Sequence, residues 1–121
     1  MAKGKYRDAP TFGPLAPASL HILLALAGQD LHGYGIMQEI ARQSQGKYKV
    51  GPGTLYDNLK KMMHQGLVEE TAGRSLVSDP RRRYYHLTGL GRGVLAEEVK
   101  RLEGVLREAR MHLRILKPRG A

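Results

Sequence analysis

Five side chains that can bind nucleic acid lie close together between Gly51 and Gly66. They combine two lysines with hydroxyl, carboxylate and amide groups: Thr54, Asp57, Asn58, Lys60 and Lys61. Lysine ammonium groups neutralise phosphates, whereas an amide or a carboxylate can pair with the edge of a base in the major groove. Spacings of three and four residues would place these groups on one side of a helix. The pattern is typical of a helix that lies in a DNA groove.

A helix is predicted to hold these residues. Pro52 suits its first turn, where a missing N–H costs nothing, and Gly66 follows as its stop. Its apolar residues recur at i, i+4, i+7 and i+8, as a single buried face requires: Leu55, Leu59, Met62 and Met63. Because the polar face lies opposite the buried one, it is left for a partner.

Two shorter helices are predicted before this one. The first covers residues 18–27, with Ser19 as its candidate N-cap and Gly28 as its stop. The second covers residues 33–45 and ends at Gly46. The apolar residues expected to be buried on the two helices are Leu20, Leu23, Leu24, Ala27, Ile36, Met37 and Ile40. Two helices, a short connection and a third helix with a basic outer face form a helix-turn-helix pattern.

A β-hairpin is predicted behind the third helix. Residues 67–71 and 83–88 have the composition of strands, and a polar loop at residues 72–82 joins them. Tyr84 and Tyr85 alternate across the second strand, so at least one of them should pack inward. The hairpin also contains an arginine run that we expect to contact phosphates or the minor groove: Arg81, Arg82 and Arg83. A helix-turn-helix followed by such a hairpin is a winged helix.

The last segment, residues 89–116, is predicted to be one long helix with Thr88 as its N-cap. Its apolar residues are spaced alternately by four and three, which is a heptad seam: Leu95, Val99, Leu102, Leu106, Ala109, Leu113 and Leu116. A small winged helix cannot bury the whole seam, and a second copy of the chain is the simplest partner. The glutamates of this helix are expected on a solvated face: Glu97, Glu98, Glu103 and Glu108.

The predicted fold class is therefore mostly α with a small β-hairpin. Residues 1–16 are expected to be a flexible basic arm, in which glycines and prolines prevent a helix. Residues 17–88 are expected to form a winged helix-turn-helix domain, and residues 89–117 a C-terminal dimerisation helix.

The charge of the chain indicates an anionic partner. It has 20 Lys+Arg against 11 Asp+Glu, a formal net charge of +9. Nucleic acid is the first candidate and a membrane surface the second, but acidic residues among the basic ones on the last helix disfavour a membrane-surface helix. No apolar run reaches the roughly 20 residues of a membrane span, and the basic N-terminus lacks the apolar region of a signal peptide.

Catalysis and metal binding are not predicted. The chain has no cysteine, and hence neither a disulfide framework nor a thiolate metal site. Its five histidines are scattered, and none is paired at metal-ligand spacing. We expect His32 to cap or pack at the start of the second helix. No nucleophile with a partner base is recognisable, and no cofactor is expected.

Five ordered motifs identify a family resemblance. They are L-H-G-Y-G-I at residues 31–36, G-P-G-T-L-Y-D-N-L-K-K at residues 51–61, Q-G-L-V at residues 65–68, D-P-R-R-R-Y-Y-H-L-T at residues 79–88, and the pair Gly91-Arg92. In these motifs and their separations, residues 18–116 resemble the PadR family of bacterial transcriptional regulators, in its short form with a single C-terminal helix.

The resemblance implies a dimeric winged helix in the bacterial cytoplasm and nucleoid that binds operator DNA, usually as a repressor released by a small molecule. With the residue patterns above, the side chains expected to face DNA are Tyr34, Thr54, Tyr56, Asp57, Asn58, Lys60, Lys61, Arg81, Arg82 and Arg83. Base readout would come from Asn58 and Asp57. An effector would bind where the last helix meets the first helix of the other copy, against Leu20, Leu24, Val99 and Leu102.

Two features depart from the family pattern. Gly89 stands where proline commonly follows the threonine that opens the last helix, which makes a weaker helix start. The chain also has no tryptophan. Because the drug-sensing members use a tryptophan between the two halves of the dimer, their ligand chemistry is not implied here.

The sequence thus predicts a homodimeric, sequence-specific DNA-binding regulator, a ligand-responsive repressor with a palindromic operator. The alternative is a winged-helix protein-interaction module with only non-specific DNA affinity, whose basic charge would meet an acidic protein. Lysines on the outer face of the third helix favour the regulator. An enzyme is not predicted.

Overall fold

The computed structural model describes residues 12–72 and 82–113. Their helices and strands are, in chain order, α1 (Pro17–Leu26), β1 (Leu31–His32), α2 (Gly33–Gln43), α3 (Pro52–His64), β2 (Val68–Thr71), β3 (Tyr84–Leu87) and α4 (Gly89–Leu113). The predicted helix-turn-helix, hairpin and long last helix are all present. Within the described ranges, no helix is both long and apolar enough to cross a membrane.

Over the residues that the structure describes, the sheet has three strands rather than the two of the predicted hairpin. Its order is β1-β3-β2, and both pairings are antiparallel, with Leu31 opposite Tyr85 and Val68 opposite Leu87. Strand β1 is not predictable from the sequence because it has only 2 residues, too few for any alternation to be visible. This strand fastens the start of α2 to β3, and so places the helix-turn-helix against the wing.

The hydrophobic core is built around α1, which packs on α2, α3, α4 and β3. On α2 and α3 the predicted inward faces are confirmed, with Ile36, Ile40, Leu55, Leu59 and Met62 buried. On the wing, Tyr85 and Leu87 point inward, as one member of the tyrosine pair was predicted to do.

The predicted stripe of α1 is wrong in part. Ile22 and Leu26 are buried beside Leu23, whereas Leu24 lies exposed. Ser19 is not the N-cap either, because the helix begins at Pro17, directly after Ala16. The helix is apolar on most of its sides, so the spacing of its residues could not show which side the core would take.

The glycines predicted to stop α2 and α3 lie two to three residues beyond the ends of these helices. Gly46 and Gly66 have φ angles of +78° and +80°, the left-handed conformation that glycine adopts without steric cost. Helix α2 stops at Gln43, earlier than predicted, because Gln45 also turns left-handed with φ of +55°. The turn after Gly66 sends the chain directly into the wing.

A closely packed junction joins the start of α4 to the wing. The hydroxyl of Thr88 accepts the N–H of Gly91 at 2.9 Å, which confirms the predicted N-cap, and donates to the carbonyl of Gly66 at 2.6 Å. Gly91 itself is buried, and a Cβ atom there would collide with the backbone carbonyl of Leu67 and lie 2.7 Å from Cδ1 of Leu87. Only glycine allows the helix to approach the strand this closely.

We therefore expect Gly91→Ala to lower the free energy of unfolding by about 1–3 kcal/mol, the usual cost of overpacking a core. The matched control is Gly93→Ala on the same helix. Its added methyl group would meet nothing within 4 Å, so the better helix propensity of alanine should stabilise the protein by up to about 1 kcal/mol. Urea denaturation of both variants at one protein concentration measures the difference. Equal stabilities of the two variants would show that α4 and the wing can shift to accommodate the methyl group at position 91.

Among the described residues, the first part of α4 packs on its own domain and most of the second part is exposed. Leu95, predicted for the dimer seam, is 7% exposed and belongs to the core of its own chain. This is a correction to the predicted seam, and it follows from the way the Gly91 junction lays the first turns of α4 against the winged helix. The later seam residues are half-buried or exposed: Val99, Leu102, Leu106, Ala109 and Leu113. Leu116 lies outside the described residues.

Glu98 is the second correction on α4, because it is 3% exposed rather than solvated. Its carboxylate accepts two hydrogen bonds from the guanidinium of Arg101, at 2.8 and 2.9 Å, and one from the N–H of Leu15 at 3.1 Å. The hydrogen bonds from Arg101 hold the pKa of Glu98 below its usual value despite burial. Residues 12–16 of the predicted flexible arm are therefore attached to α4, with Phe12 and Leu15 packed on the core.

Candidate nucleic-acid interface

Helix α3 presents a polar face away from the core. Leu55, Leu59 and Met62 hold its inner side in the core, and Met63 packs at the edge. The side chains exposed on the outer side are Thr54, Tyr56, Asp57, Lys60, Lys61 and His64. The helix also begins at Pro52 after Gly51 and has no side-chain cap, so its first N–H groups are open to an anion. The outer side thus combines hydrogen-bonding groups near the start of the helix with two lysines farther along.

Asn58 differs from the other predicted base-contacting residues. Its amide nitrogen donates to the carbonyl of Thr54 at 2.8 Å, and its amide oxygen accepts from the hydroxyl of Ser19 at 3.2 Å. The side chain is half-buried and ties α3 to α1. Both polar atoms of the amide therefore have a partner within the protein, so we expect Asn58 to position α3 rather than to read a base. Asp57 is its exposed neighbour and has the chemistry to pair with a base.

We expect Asn58→Ala to reduce stability by about 1–2 kcal/mol, because two hydrogen bonds worth roughly 1 kcal/mol each are lost. Its base preferences, measured by selection from random duplex DNA, should match those of the unaltered protein. The matched variant is Asp57→Ala, one residue along the same helix and exposed. It should leave stability within about 0.5 kcal/mol and relax one base preference per half-site. A change of base preference in Asn58→Ala with unchanged stability would restore the original prediction.

A cleft of about 360 Å³ lies beside α3, where the start of α2 meets the wing. Aromatic rings and guanidinium groups line it: His32, Gly33, Tyr34, Tyr56, Arg82, Arg83 and Tyr85. Tyr34 and Tyr56 remain largely exposed at its rim. The cleft brings together four of the predicted DNA-facing residues, Tyr34, Tyr56, Arg82 and Arg83, whereas Thr54, Asp57, Asn58, Lys60 and Lys61 of α3 lie outside its lining. Arg81 lies outside the described residues.

Contacts between these elements fix the shape of the cleft. The phenol of Tyr56 lies against Gly33, where a Cβ atom would collide with the hydroxyl and lie 2.7 Å from the ring. His32 is the N-cap of α2, as predicted, because its Nδ1 atom accepts the N–H of Gly35 at 3.0 Å. The ring of His32 packs edge-on to Tyr84, with centroids 5.4 Å apart. Glycine at position 33 thus lets α3 approach the start of α2.

Charge at the cleft is mainly positive. The guanidinium of Arg82 lies 2.8 Å from Nε2 of His32, and that of Arg83 donates to Glu70 at 3.2 Å. Burial, and secondarily the charge of Arg82, lower the pKa of His32. Burial also raises the pKa of Tyr85. At neutral pH the imidazole of His32 and the phenol of Tyr85 are therefore uncharged, and the arginines supply the charge.

The lysines, tyrosines and arginines of this surface are recognisable from the sequence, but the partners of His32 are not. The imidazole was expected only to cap or pack, and its contact with Arg82 joins residues 50 positions apart. No local spacing can show such a contact, since it depends on β1 pairing with β3. The hydrogen bond between Ser19 and Asn58 joins residues 39 positions apart, so local spacing cannot show it either.

Comparisons with known proteins agree with this geometry. The family model described as "Transcriptional regulator PadR-like family" matches residues 22–97. Transcriptional regulator Rv3488 of Mycobacterium tuberculosis is 37% identical over 93 residues, which cover 77% of this chain and 82% of that protein. A second relative, from Lysinibacillus sphaericus, is 34% identical over 80 residues, which cover 65% of this chain and 72% of that protein.

Two solved structures have the same fold. A PadR family transcription regulator from Clostridium difficile superposes with a TM-score of 0.68 at 23% identity, covering 81% of this chain and 99% of that one. A PadR-like regulator from Bacillus cereus gives a TM-score of 0.68 at 24% identity, covering 78% of this chain and 89% of that one. The four-helix, three-strand arrangement described above is thus a winged-helix fold.

Proposed function

This chain belongs to the PadR-like family of transcriptional regulators, and we propose that it binds a palindromic operator as a homodimer and represses transcription. The proposal rests above all on the outer face of α3. There the exposed groups are hydroxyl, carboxylate and ammonium, while the opposite face is locked in the core. A helix held this way can enter a major groove without disturbing the domain.

The residues would divide their roles by chemistry. The carboxylate of Asp57 can accept a hydrogen bond from the amino group of cytosine. The hydroxyl of Thr54, near the start of the helix, can either donate to a base or accept from one. Lys60 and Lys61 would neutralise phosphates, as would Arg82 and Arg83 on the wing. Tyr34 and Tyr56 would pack beside the sugar-phosphate backbone at the rim of the cleft, and Arg81 would extend the basic wing.

Homodimerisation would use the part of α4 that its own domain leaves uncovered. The helix has 25 residues and is about 37 Å long, so its second half projects beyond the core. Val99, Leu102, Leu106, Ala109 and Leu113 form an apolar stripe there, and Val105 widens it. Because exposure of an apolar stripe of this length to water is unfavourable, we expect a second copy of α4 to pack against it.

A small-molecule effector would act at the same junction. Leu20, Leu24, Val99 and Leu102 are half-buried or exposed in the protomer, and thus available to line a pocket between two copies. A ligand that changed the packing of α4 on the partner's α1 would change the spacing of the two α3 helices. Repression would then respond to the ligand because half-site spacing is fixed by DNA geometry.

Selection of bound sequences from random duplex DNA tests the proposal. We expect a two-fold symmetric sequence whose half-site centres are about one helical turn apart, or a multiple of it. Enrichment of no sequence above background would instead support a protein-interaction module with non-specific DNA affinity. Reporter transcription from the selected sequence, with and without the protein, then distinguishes repression from activation.

A further inference from the structure

Helix α1 lies between the helix proposed to read DNA and the helix proposed to form the dimer. It packs on both α3 and α4, whereas α3 and α4 share at most a few direct contacts over residues 12–72 and 82–113. The position of α4 relative to α3 is therefore set by α1 and by the junction at Gly91. Hydrogen bonds join the start of α1 to both helices.

Glu98 connects α4 to the segment that leads into α1. Its buried carboxylate accepts the N–H of Leu15 at 3.1 Å. Arg101, about one turn farther along α4, donates two hydrogen bonds to the same carboxylate and holds it in place. Because a buried carboxylate is costly when its partners move away, this connection resists displacement.

The contact at Glu98 fixes the direction in which α4 leaves the domain. The junction at Gly91 fixes the start of the helix, and Glu98 lies seven residues, or about 10 Å, farther along. Two fixed points define the direction of a rigid helix. The apolar stripe proposed for the dimer lies beyond the second point, so its position depends on the contact with Leu15.

Ser19 connects α1 to α3, four residues after Leu15. Its hydroxyl donates to the amide oxygen of Asn58 at 3.2 Å, and the amide nitrogen of Asn58 donates to the carbonyl of Thr54 at 2.8 Å. Apolar packing is non-directional and allows one helix to slide along another, whereas hydrogen bonds are directional. The contact therefore fixes the position of α3 along α1.

From these contacts we infer that Glu98 and Ser19 are positioning residues that determine which half-site spacing the dimer accepts. Through the start of α1 they hold the projecting part of α4 at one angle to α3. In a two-fold dimer, that angle sets the separation of the two α3 helices. This role rests on the proposed function, because only a dimer on a palindromic operator has a half-site spacing.

Duplexes that differ only in half-site spacing test this role. They are the palindrome selected from random DNA, the same palindrome with one base pair added or removed at its centre, and a single half-site. Ser19→Ala should reduce the preference for the best spacing by about 2- to 30-fold, the range for residues that couple two sites. Its affinity for the single half-site should not change, because the outer face of α3 is intact.

Two substitutions of Glu98 distinguish positioning from a general loss of stability. Glu98→Gln keeps an oxygen that can accept the N–H of Leu15, so it should keep the spacing preference of the unaltered protein. Glu98→Ala removes this acceptor and should lose the preference as Ser19→Ala does. If Glu98→Ala does not fold, Ser19→Ala still decides the question.

The matched control is His86→Ala. It removes a hydrogen bond of 2.7 Å to Asp30, which joins β3 to the loop after α1 and lies outside the connection between α4 and α3. This variant should melt at a lower temperature and keep the spacing preference. The double variant of Ser19→Ala and Glu98→Ala should lose no more preference than either single variant, because both break one connection, whereas independent effects would multiply.

Three results would overturn the inference: an unchanged spacing preference in Ser19→Ala, an equal loss of preference in His86→Ala, or multiplied effects in the double variant. Each of them leaves the proposed function intact, because the unaltered protein still binds the palindrome. Failure of the unaltered protein to select any palindromic sequence would instead overturn the proposed function, and the positioning role with it.

Discussion

Raising the salt concentration from 50 to 200 mM should weaken duplex binding by about 10³–10⁵-fold. Each protomer presents four cations on the proposed surface: Lys60, Lys61, Arg82 and Arg83. A dimer would then neutralise about eight phosphates, within the ~6–10 contacts for which this loss is expected. Anisotropy titrations of a labelled duplex over that range measure the slope, and an affinity independent of salt would contradict the assignment of this surface to DNA.

Substitutions of single lysines test which surface of the protein causes the salt dependence. Lys61→Ala on α3 should lower affinity for every sequence about equally and reduce the slope by about 0.9 for each protomer. Lys100→Ala is the control, because Lys100 lies on α4, is largely exposed, and is 3.9 Å from Glu97. Both variants remove one positive charge, so an effect of net charge alone would appear in both. An equal loss of slope would mean that the binding surface is not confined to α3 and the wing.

Leu106→Asp should abolish the dimer. Leu106 is 48% exposed in the protomer, so the substitution spares the core of its own domain. In a seam between two α4 helices, however, it would bury a carboxylate in each copy at a cost of several kcal/mol. The variant should sediment as a monomer at micromolar concentration and lose most of its affinity for a palindromic operator, since the two α3 helices would bind independently. Leu102 is half-buried in the protomer and is therefore a less clean site for this experiment.

Met111→Asp is the matched control for the dimer. Met111 is 53% exposed on the same helix, but five residues from Leu106, which is about 140° around the helix axis and away from the apolar stripe. This variant should remain dimeric and bind operator normally. If Leu106→Asp stayed dimeric, or if both variants dissociated, the contact between copies would lie elsewhere.

Local patterns in the sequence were sufficient for several parts of the fold. The period of apolar residues in α3, the glycine stops at Gly46 and Gly66, and the N-cap at Thr88 each depend on residues within a few positions of one another. Such signals are set mainly by the geometry of the local backbone. The basic character of α3 and the wing follows from composition in the same way.

Tertiary structure decided what local patterns left open. It chose the buried side of α1, placed Leu95 in the core of its own chain, and buried Glu98 under Arg101. Helix α1 is apolar on several sides, and the heptad pattern of α4 is equally compatible with packing on its own domain or on a partner. Which of these faces is buried depends on the elements that pack against the helix, and the spacing of residues along one helix does not identify those elements.

The candidate site shows the same division. Its residue types were determined by the sequence alone, because the lysines and Asp57 of α3, Tyr34 and the wing arginines stand in recognisable motifs. Their arrangement was decided by contacts between distant segments: the hydroxyl of Ser19 donates to the amide oxygen of Asn58, and β1 pairing with β3 brings Arg82 to His32. Hydrogen bonds of this kind depend on distances that only the folded chain defines, so residue identity could predict a nucleic-acid surface but not which of its side chains are available to the ligand.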